Sequence, residues 1–213
     1  MRSTALIAFG AALVLASAFA EAQAPAGGPP PGPPQGTRTT VRGTVEKLDG
    51  NTLMVKSRDG TDVKVTLTDK SAVRTLTKKT LADIKEGDYV ASTGRPGPDG
   101  KLHAVEVRIF PEALRGVGEG QNPWDLTPDS KMTNATVTGI VAMGKGATFK
   151  VKYKGTESEF IVDPETPIQA FGPGDRDLLK PNVYVVVLGL KQEDGTIIGG
   201  NVTAEANGVK PEM

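Results

Sequence analysis

The chain has 213 residues, in which 25 lysines and arginines are balanced by 25 aspartates and glutamates, so that its formal net charge is zero. Nucleic-acid-binding proteins usually carry a basic excess or a basic stripe, and neither is visible here. The chain contains no cysteine, which excludes disulfide bonds and requires that packed cores provide the stability.

The first 22 residues have the layout of a cleavable secretory signal. Arg2 gives a short positive region, an apolar run covers residues 5–16, and small residues follow at A-x-A spacing. A membrane anchor is the alternative, but the run is shorter than the about 20 residues that span a bilayer. We therefore expect cleavage after Ala20 or Ala22, and a periplasmic or extracellular protein that does not span a membrane once the signal is removed.

Residues 23–38, QAPAGGPPPGPPQGTR, follow the signal and cannot build a core. Proline removes backbone donors and fixes φ, whereas glycine adds conformational freedom. This composition predicts a disordered or polyproline-II spacer. A ligand for a proline-recognition domain is the alternative.

The rest of the chain repeats one pattern twice. Residues 41–56 align with residues 137–152, which places Gly43 on Gly139, and IKEGDYVASTG at 84–94 aligns with LKPNVYVVVLG at 179–189. Repeats of this kind indicate a duplicated structural unit. We predict two modules, at 39–110 and 133–206, joined by a linker at 111–132 and followed by a tail at 207–213.

Each copy predicts short strands separated by turns. TVRGTVEKL alternates between its two faces, and Asp-Gly pairs at 49–50, 59–60 and 99–100 predict hairpin turns. TLADIKEG predicts one short helical turn that Thr80 caps, with Leu81 and Ile84 pointing inward. The second copy places Leu178 and Leu179 at the corresponding position.

So short a meander cannot bury its apolar face as an open sheet, whereas closure also removes exposed edges. We therefore predict an all-β fold of two tandem small antiparallel β-barrels, OB-like, each with one short helical turn. The segment VYVVVLGL at 183–190 is apolar on both faces. It requires a cover from the first module, the linker or another chain.

The first copy also carries a set of motif residues, namely Gly43, Thr44, Val45, Leu81, Ile84, Gly87, Asp88, Val90, Asp99, Gly100, Leu102 and Ala104. This pattern resembles a bacterial family of exported small β-barrel modules of unknown function. The second copy departs from it at Asn182 and Val183, where Gly-Asp is expected. Residues 116–137 resemble the corresponding stretch of two-module proteins that are sometimes labelled metal-transporter components, which implies an accessory role in metal handling.

His103 is the single histidine and lies on the predicted strand KLHAVEV. One histidine without cysteine does not make a usual zinc site, and nothing in the sequence places a serine and a carboxylate beside it for a catalytic triad. We expect a surface or packing role. GIVAMGKG at 139–146 resembles a phosphate loop but ends in glycine, and the repeat predicts a hairpin turn there.

Trp124, the only tryptophan, lies in the predicted linker. It is a candidate platform for stacking a ligand, or else a staple that pins the linker to a barrel or into the groove between barrels. Several carboxylates could bind a hard cation loosely, but no calcium-loop spacing exists. They are Asp59, Asp62, Asp99, Glu157, Glu159, Asp163 and Glu165.

These observations predict an exported, non-enzymatic binding or scaffold protein of the bacterial periplasm. We assign no catalytic, cofactor-binding or metal-binding residue, and only Trp124 as a candidate for ligand or inter-module contact. The expected partner is an unknown protein or an envelope polymer, not a nucleic acid. An accessory role in metal handling and hydrolysis of envelope polymers are the alternatives.

Overall fold

The computed structural model describes residues 36–212 of the chain. The predicted signal at 1–22 and spacer residues 23–35 lie outside the described residues. The first strand begins at Thr37, so the end of the predicted spacer already belongs to the sheet. No helix in residues 36–212 combines the length and the hydropathy that a membrane crossing requires.

The described part of the chain forms twelve strands, linked in one continuous sheet, and three short 3-10 turns. The first six strands are β1 (Thr37–Asp49), β2 (Thr52–Ser57), β3 (Asp62–Lys79), β4 (Tyr89–Pro96), β5 (Leu102–Ile109) and β6 (Gly120–Pro123). The other six are β7 (Lys131–Met143), β8 (Gly146–Tyr153), β9 (Thr156–Val162), β10 (Ile168–Pro173), β11 (Tyr184–Lys191) and β12 (Ile197–Ala204). The 3-10 turns are Leu81–Asp83, Glu112–Leu114 and Arg176–Leu178. The predicted all-β fold class is confirmed.

The strands close into two five-stranded barrels. In barrel 1 the order is β1, β2, β3, β12, β11 and back to β1, and β3 runs parallel to β12. In barrel 2 the order is β7, β8, β9, β5, β4 and back to β7, and β9 runs parallel to β5. A three-stranded meander closed by a parallel pair is the arrangement of an OB-like barrel, and both barrels have it.

The strands are distributed differently from the expected modules at 39–110 and 133–206. Each barrel takes its first three strands from one half of the chain and its last two from the other half. The reason lies in β3, which continues for 18 residues without a glycine or proline and leaves barrel 1. Its last residues pair with β10, with Leu76 opposite Phe171, so that the two halves exchange their closing strands.

Each barrel has its own apolar core, built from the inward-facing side of its alternating strands. The core of barrel 1 includes Leu53, Val55, Val65, Leu67, Val185, Val187 and Val202, and that of barrel 2 includes Val90, Val107, Val137, Phe149, Val151, Phe160 and Val162. Ile84 and Leu81 pack into barrel 2, whereas Leu179 and Leu178 pack into barrel 1. The inward direction predicted for these leucines and isoleucine is therefore confirmed.

The Thr80 cap is also present. The backbone N–H and the hydroxyl of Thr80 each donate to the carboxylate of Asp83 at 2.8 Å. These two hydrogen bonds stabilise the 3-10 turn that carries Leu81 to the end of barrel 2.

The first strands of the two halves correspond with a register that differs from the sequence alignment. Thr44 pairs with Tyr184 in barrel 1, and Thr136 pairs with Tyr89 in barrel 2. Thr136, and not Ile140, is therefore the counterpart of Thr44. The β7–β8 hairpin is longer by two residues on each strand, because Thr44 lies opposite Lys56 but Thr136 lies opposite Lys152. The β-bulge after Val137 also changes which side chains face inward, because Val141 is 49% exposed whereas Val45, its partner in the sequence alignment, is buried.

The segments predicted to be a linker and a tail are partly ordered into the fold. Residues 111–132 contain a 3-10 turn and strand β6, which pairs with β7. In the tail, Val209 is buried and the Lys210 ammonium lies 4.0 Å from the centroid of the Tyr184 ring. Of the doubly apolar strand β11, Val186 is buried outside both cores as predicted, but Leu188 is 39% exposed.

Candidate functional site

Each barrel has a shallow cleft where its third strand meets the parallel closing strand. The β3–β12 cleft of barrel 1 has a volume of about 580 Å³ and is bordered by the turn between β11 and β12. The β5–β9 cleft of barrel 2 has a volume of about 280 Å³. Thr66 and Ile161 occupy equivalent positions on the third strands and line the two clefts, but the other lining residues differ in position.

The β3–β12 cleft presents three threonine hydroxyl groups, two lysines and one aspartate. Its polar lining consists of Thr52, Thr66, Thr196, Asp62, Lys64 and Lys191. Asp62 also accepts a hydrogen bond of 2.6 Å from the Lys56 ammonium, which is the main cause that raises the pKa of Lys56. None of the residues lining this cleft is aromatic. Such a lining suits a polar ligand with many hydroxyl groups better than a strongly anionic ligand or a stacked base.

The β5–β9 cleft holds the single histidine between two carboxylates. The Nδ1 atom of His103 lies 2.8 Å from an oxygen of Asp163, and Nε2 lies 3.2 Å from an oxygen of Asp99. Asp99 belongs to the turn between β4 and β5, whereas Asp163 follows β9. The strand exchange thus brings Asp163 to a histidine that lies 60 positions earlier in the chain.

The two carboxylates change the protonation of His103. The hydrogen bond with Asp163 is the largest cause that raises the pKa of His103; partial burial opposes it, and Asp99 adds to the increase. The backbone N–H of Lys101 is the main cause that lowers the pKa of Asp99, with a smaller contribution from His103. A protonated imidazole between ionised carboxylates stabilises the contact of β5 with β9.

This arrangement belongs to barrel 2 alone. His103 lies opposite Ile161 across the seam, and the counterpart in barrel 1 is Ile198 opposite Thr66. The local backbone is nevertheless similar, because the N–H of Thr68 donates to the Ser71 hydroxyl at 2.8 Å and the N–H of Asp163 donates to the Thr166 hydroxyl at 3.0 Å. Barrel 2 therefore adds charged groups to a turn that both barrels share.

The chemistry available at His103 is limited by its partners. Both ring nitrogens contact a carboxylate, and within residues 36–212 neither contacts a hydroxyl group that could act as a nucleophile. In the same range, no group of three or more histidine, aspartate or glutamate side chains is arranged to hold a metal ion. The arrangement can keep a proton on the His103 imidazole and can stabilise the contact of β5 with β9.

Trp124 lies beside barrel 1, although β6 precedes it at the edge of barrel 2. The guanidinium of Arg42, on β1, lies 5.8 Å from the centroid of the indole ring and donates to Asp125 at 2.8 Å. Arg42 is 5% exposed. The indole N–H is buried and has no hydrogen-bond partner among the described residues. One ring face of Trp124 is therefore already in contact with a cation.

The other sequence candidates lie in turns and on strands. Residues 144–145 form the hairpin turn between β7 and β8, as the repeat predicted, and not the start of a helix. Among the acidic residues, Glu159 forms an ion pair with Lys101 at 3.0 Å, and Asp59 accepts the N–H of Thr61. Of the seven predicted carboxylates, only Asp99 and Asp163 share a histidine.

A buried ion pair escaped the sequence analysis. Glu106 is fully buried and accepts a hydrogen bond from Arg108, which is 5% exposed. Arg108 also lies 5.5 Å from the centroid of the Phe171 ring, on the side of β5 away from the barrel core. The signal was present in the sequence, since residues 106 and 108 face the same side of a strand and carry opposite charges.

A family model described as "Domain of unknown function (DUF5666)" matches residues 42–108. Comparisons with curated proteins and with solved structures each found no match. The matched region begins in β1 and ends in β5, and thus lies within the first predicted module at 39–110. In this structure those strands are divided between the two barrels.

Proposed function

We propose that this protein is an exported, non-enzymatic binding protein of the bacterial periplasm, which holds a polar ligand in the β3–β12 cleft. The observation that carries the proposal is the position of this cleft, about 580 Å³ in volume, on β3 and the turn between the last two strands of barrel 1. OB-like barrels hold oligosaccharides and oligonucleotides at that face and at those loops. The β3–β12 cleft is assigned as the site by analogy with the binding faces of other OB-like barrels.

Export is supported by the N-terminal sequence. A positive residue, a short apolar run and A-x-A spacing are the features of a cleaved signal. The absence of cysteine is compatible with either redox environment, so it does not bear on the localisation. Determination of the N-terminal residue of the protein from a periplasmic fraction checks the proposal, which requires cleavage after Ala20 or Ala22.

We also propose that the halves of the chain are tandem copies of one unit. Support comes from the identical strand order of the barrels and from Tyr89 and Tyr184, which lie opposite threonines at equivalent positions. The related turns at Thr68–Ser71 and Asp163–Thr166 add to this support. Because the halves exchange their closing strands, each barrel contains strands from both halves of the chain.

The ligand class follows from the lining of the cleft. Threonine hydroxyls alternate with two lysines and one aspartate, so no strong field of either sign is present. A hydroxyl-rich ligand can exchange hydrogen bonds with such a surface, and an envelope glycan is the polymer of this chemistry in the proposed compartment. The metal-handling alternative rests on the sequence resemblance alone.

The non-enzymatic role is supported by the geometry of His103, whose two nitrogens contact Asp163 and Asp99. Trp124 acts in this proposal as a contact between the barrels and not as a ligand platform. Its ring faces Arg42 of barrel 1, whereas β6 before it pairs with β7 of barrel 2. The staple is thus preferred to the stacking role.

An NMR titration tests the binding proposal. Soluble N-acetylglucosamine oligosaccharides serve as the probe for the glycan, and the ¹⁵N-labelled protein is observed. We expect saturable shifts of the amides of Thr66, Gly195 and Thr196, and an unchanged oligosaccharide by mass spectrometry after prolonged incubation. Shortened oligosaccharides favour the hydrolase alternative and contradict the proposal.

Two matched variants locate the site. Thr66→Arg fills the β3–β12 cleft and removes binding, whereas Ile161→Arg changes the corresponding position of the β5–β9 cleft and leaves binding intact. Equal binding by the wild type and Thr66→Arg places the ligand elsewhere and contradicts the assignment of the cleft.

A further inference from the structure

One strand edge is paired with an additional strand in barrel 2, but its counterpart in barrel 1 has no strand partner among residues 36–212. In barrel 2, β6 (Gly120–Pro123) adds to the first strand of the barrel, β7, by antiparallel pairing with residues 131–134. The N–H of Trp124 continues this ladder by donating to the carbonyl of Ser130 at 2.8 Å. The four-residue segment β6 thus pairs with a part of β7 that extends beyond the closed barrel.

The counterpart of this edge in barrel 1 is the start of β1. Because Thr44 corresponds to Thr136 by its pairing with the closing strand, residues 39–42 correspond to residues 131–134. β2 joins β1 only from Gly43 onward. Within residues 36–212, no strand pairs with this side of residues 37–42.

The backbone groups that face the open edge can be identified. In a strand, the N–H and C=O of one residue point to the same side, and successive residues alternate. The carbonyl of Arg42 accepts the N–H of Arg58 at 3.0 Å, on the β2 side. The N–H and C=O groups of Arg38 and Thr40 therefore point to the open edge. Arg38 is exposed and Thr40 is half-buried.

We propose that this edge binds an extended, acidic segment of a partner polypeptide, which adds to barrel 1 as an antiparallel strand. Unpaired strand edges are established sites for strand addition. The surface charges favour a carboxylate on the incoming segment, because Arg38 and Arg58 are exposed there and neither forms an ion pair with another described residue. The site is separate from the β3–β12 cleft, so the proposal does not depend on the glycan.

A second copy of the chain is a poorer occupant. Antiparallel pairing of two β1 edges about Thr40 places Arg38 of each chain opposite Arg42 of the other. Like charges directly opposite each other destabilise a strand pair. The partner polypeptide is therefore favoured over a dimer.

Strand β6 shows what the occupant requires. The amide groups of β6 alternate in direction, so those of Gly120, Asn122 and Trp124 point toward β7. The nitrogen of Pro123 points away from β7, where a missing N–H removes no hydrogen bond between the strands. The carboxylate of Glu119, just before β6, accepts the N–H of Lys154 at 2.8 Å. Arg58 corresponds to Lys154. Its N–H is already donated to the carbonyl of Arg42, but its exposed guanidinium offers donors to an acidic residue before the incoming strand.

The probe is a synthetic peptide with the sequence of residues 118–124, GEGQNPW, added to the ¹⁵N-labelled protein. We expect the amide protons of Arg38 and Thr40 to shift and to exchange more slowly with solvent, while those of Thr39 and Val41, which already face β11, change little. N-methylation of the peptide at Asn122 removes a facing donor and weakens binding about tenfold, whereas N-methylation at Gln121 has little effect. Replacement of Glu119 by glutamine in the peptide also weakens binding.

Protein variants provide the second arm. Thr40→Pro removes a donor from the open edge without removing a bond to β11, and it weakens peptide binding about tenfold. Thr40→Val keeps the N–H and retains binding. Equal binding by Thr40→Pro, shifts confined to Met132 and Asn134, or a dimer that depends on Thr40 each overturn the proposal.

Discussion

His103 and Asp163 come from opposite halves of the chain, and their side chains meet at 2.8 Å across the seam of barrel 2. The ion pair of Lys101 with Glu159, at 3.0 Å, crosses the same seam. In the backbone, His103 pairs with Ile161 of β9, and the parallel seam continues where residues 107–109 of β5 pair with residues 168–170 of β10. The side-chain contacts add to this backbone pairing at the β9 end of the seam.

Protonation of His103 should stabilise the fold at low pH. Since its pKa in the folded state lies above the ordinary value of 6.5, the contribution is fully present below pH 6.5 and is lost as the pH rises through the folded-state pKa. We expect His103→Gln to lose up to about 1 kcal/mol relative to the wild type at pH 5, and less at pH 9. Urea unfolding of both proteins at each pH measures this difference. A difference that does not change with pH contradicts the prediction.

A single copy should exchange strands with a second molecule. Residues 36–125 contain β1 to β6, but β3 continues to Lys79 beyond barrel 1, and β4 belongs to the other barrel. We expect this fragment to form a dimer with exchanged strands, in which two β3 strands replace the β3–β10 pair. Sedimentation equilibrium gives the mass. A folded monomer at micromolar concentration shows that the chain can turn back after β3 and contradicts the explanation of the exchange.

Replacement of Gly43 by alanine tests the register. A Cβ atom at Gly43 would lie 2.1 Å from the carbonyl oxygen of Lys56, whereas the nearest atom to a Cβ at Gly139 is 3.7 Å away. Gly43→Ala should therefore cost about 2 kcal/mol in the free energy of unfolding, because a backbone must move. Gly139→Ala is the matched control and should be nearly neutral. Equal costs support the sequence alignment that places these glycines together.

Removal of one partner of the buried pair Glu106–Arg108 should lower the free energy of unfolding more than replacement of both partners by apolar residues. Arg108→Met leaves a fully buried carboxylate without its cation and should cost about 3–5 kcal/mol. Replacement of both residues by methionine should be less destabilising than Arg108→Met alone, because no unpaired charge remains. Chemical denaturation of the three proteins decides the order, and a double variant that is the least stable contradicts it.

Trp124 should stabilise the structure through its ring and not through its N–H. Trp124→Ala removes a half-buried ring that contacts Arg42 and should cost about 2 kcal/mol. Trp124→Phe should recover most of this, since the indole N–H has no hydrogen-bond partner among residues 36–212. Val117→Ala, at a half-exposed side chain, is the control. Thermal unfolding measures all three, and a phenylalanine variant as unstable as the alanine variant contradicts the assignment.

The sequence by itself determined the all-β class, the hairpin turns and the inward-facing leucines and isoleucine at and after the 3-10 turns. These features depend on local chemistry, namely a period of two, glycine at Asp-Gly turns such as Asp99–Gly100, and apolar spacing. Ile84 and Leu179 could be placed in a core because their neighbours in sequence fix the direction of their side chains.

Only the tertiary structure decided which barrel each strand joins. The sequence pattern does not distinguish whether a closing strand such as β12 pairs with its own half of the chain or with the other half, because both halves have the same strand order. β3 extends beyond barrel 1 and pairs with β10, which accompanies the exchange, and its lack of glycine or proline was visible in the sequence. The contact of His103 with Asp163 follows from that choice, since side chains 60 positions apart meet only after long-range pairing is settled.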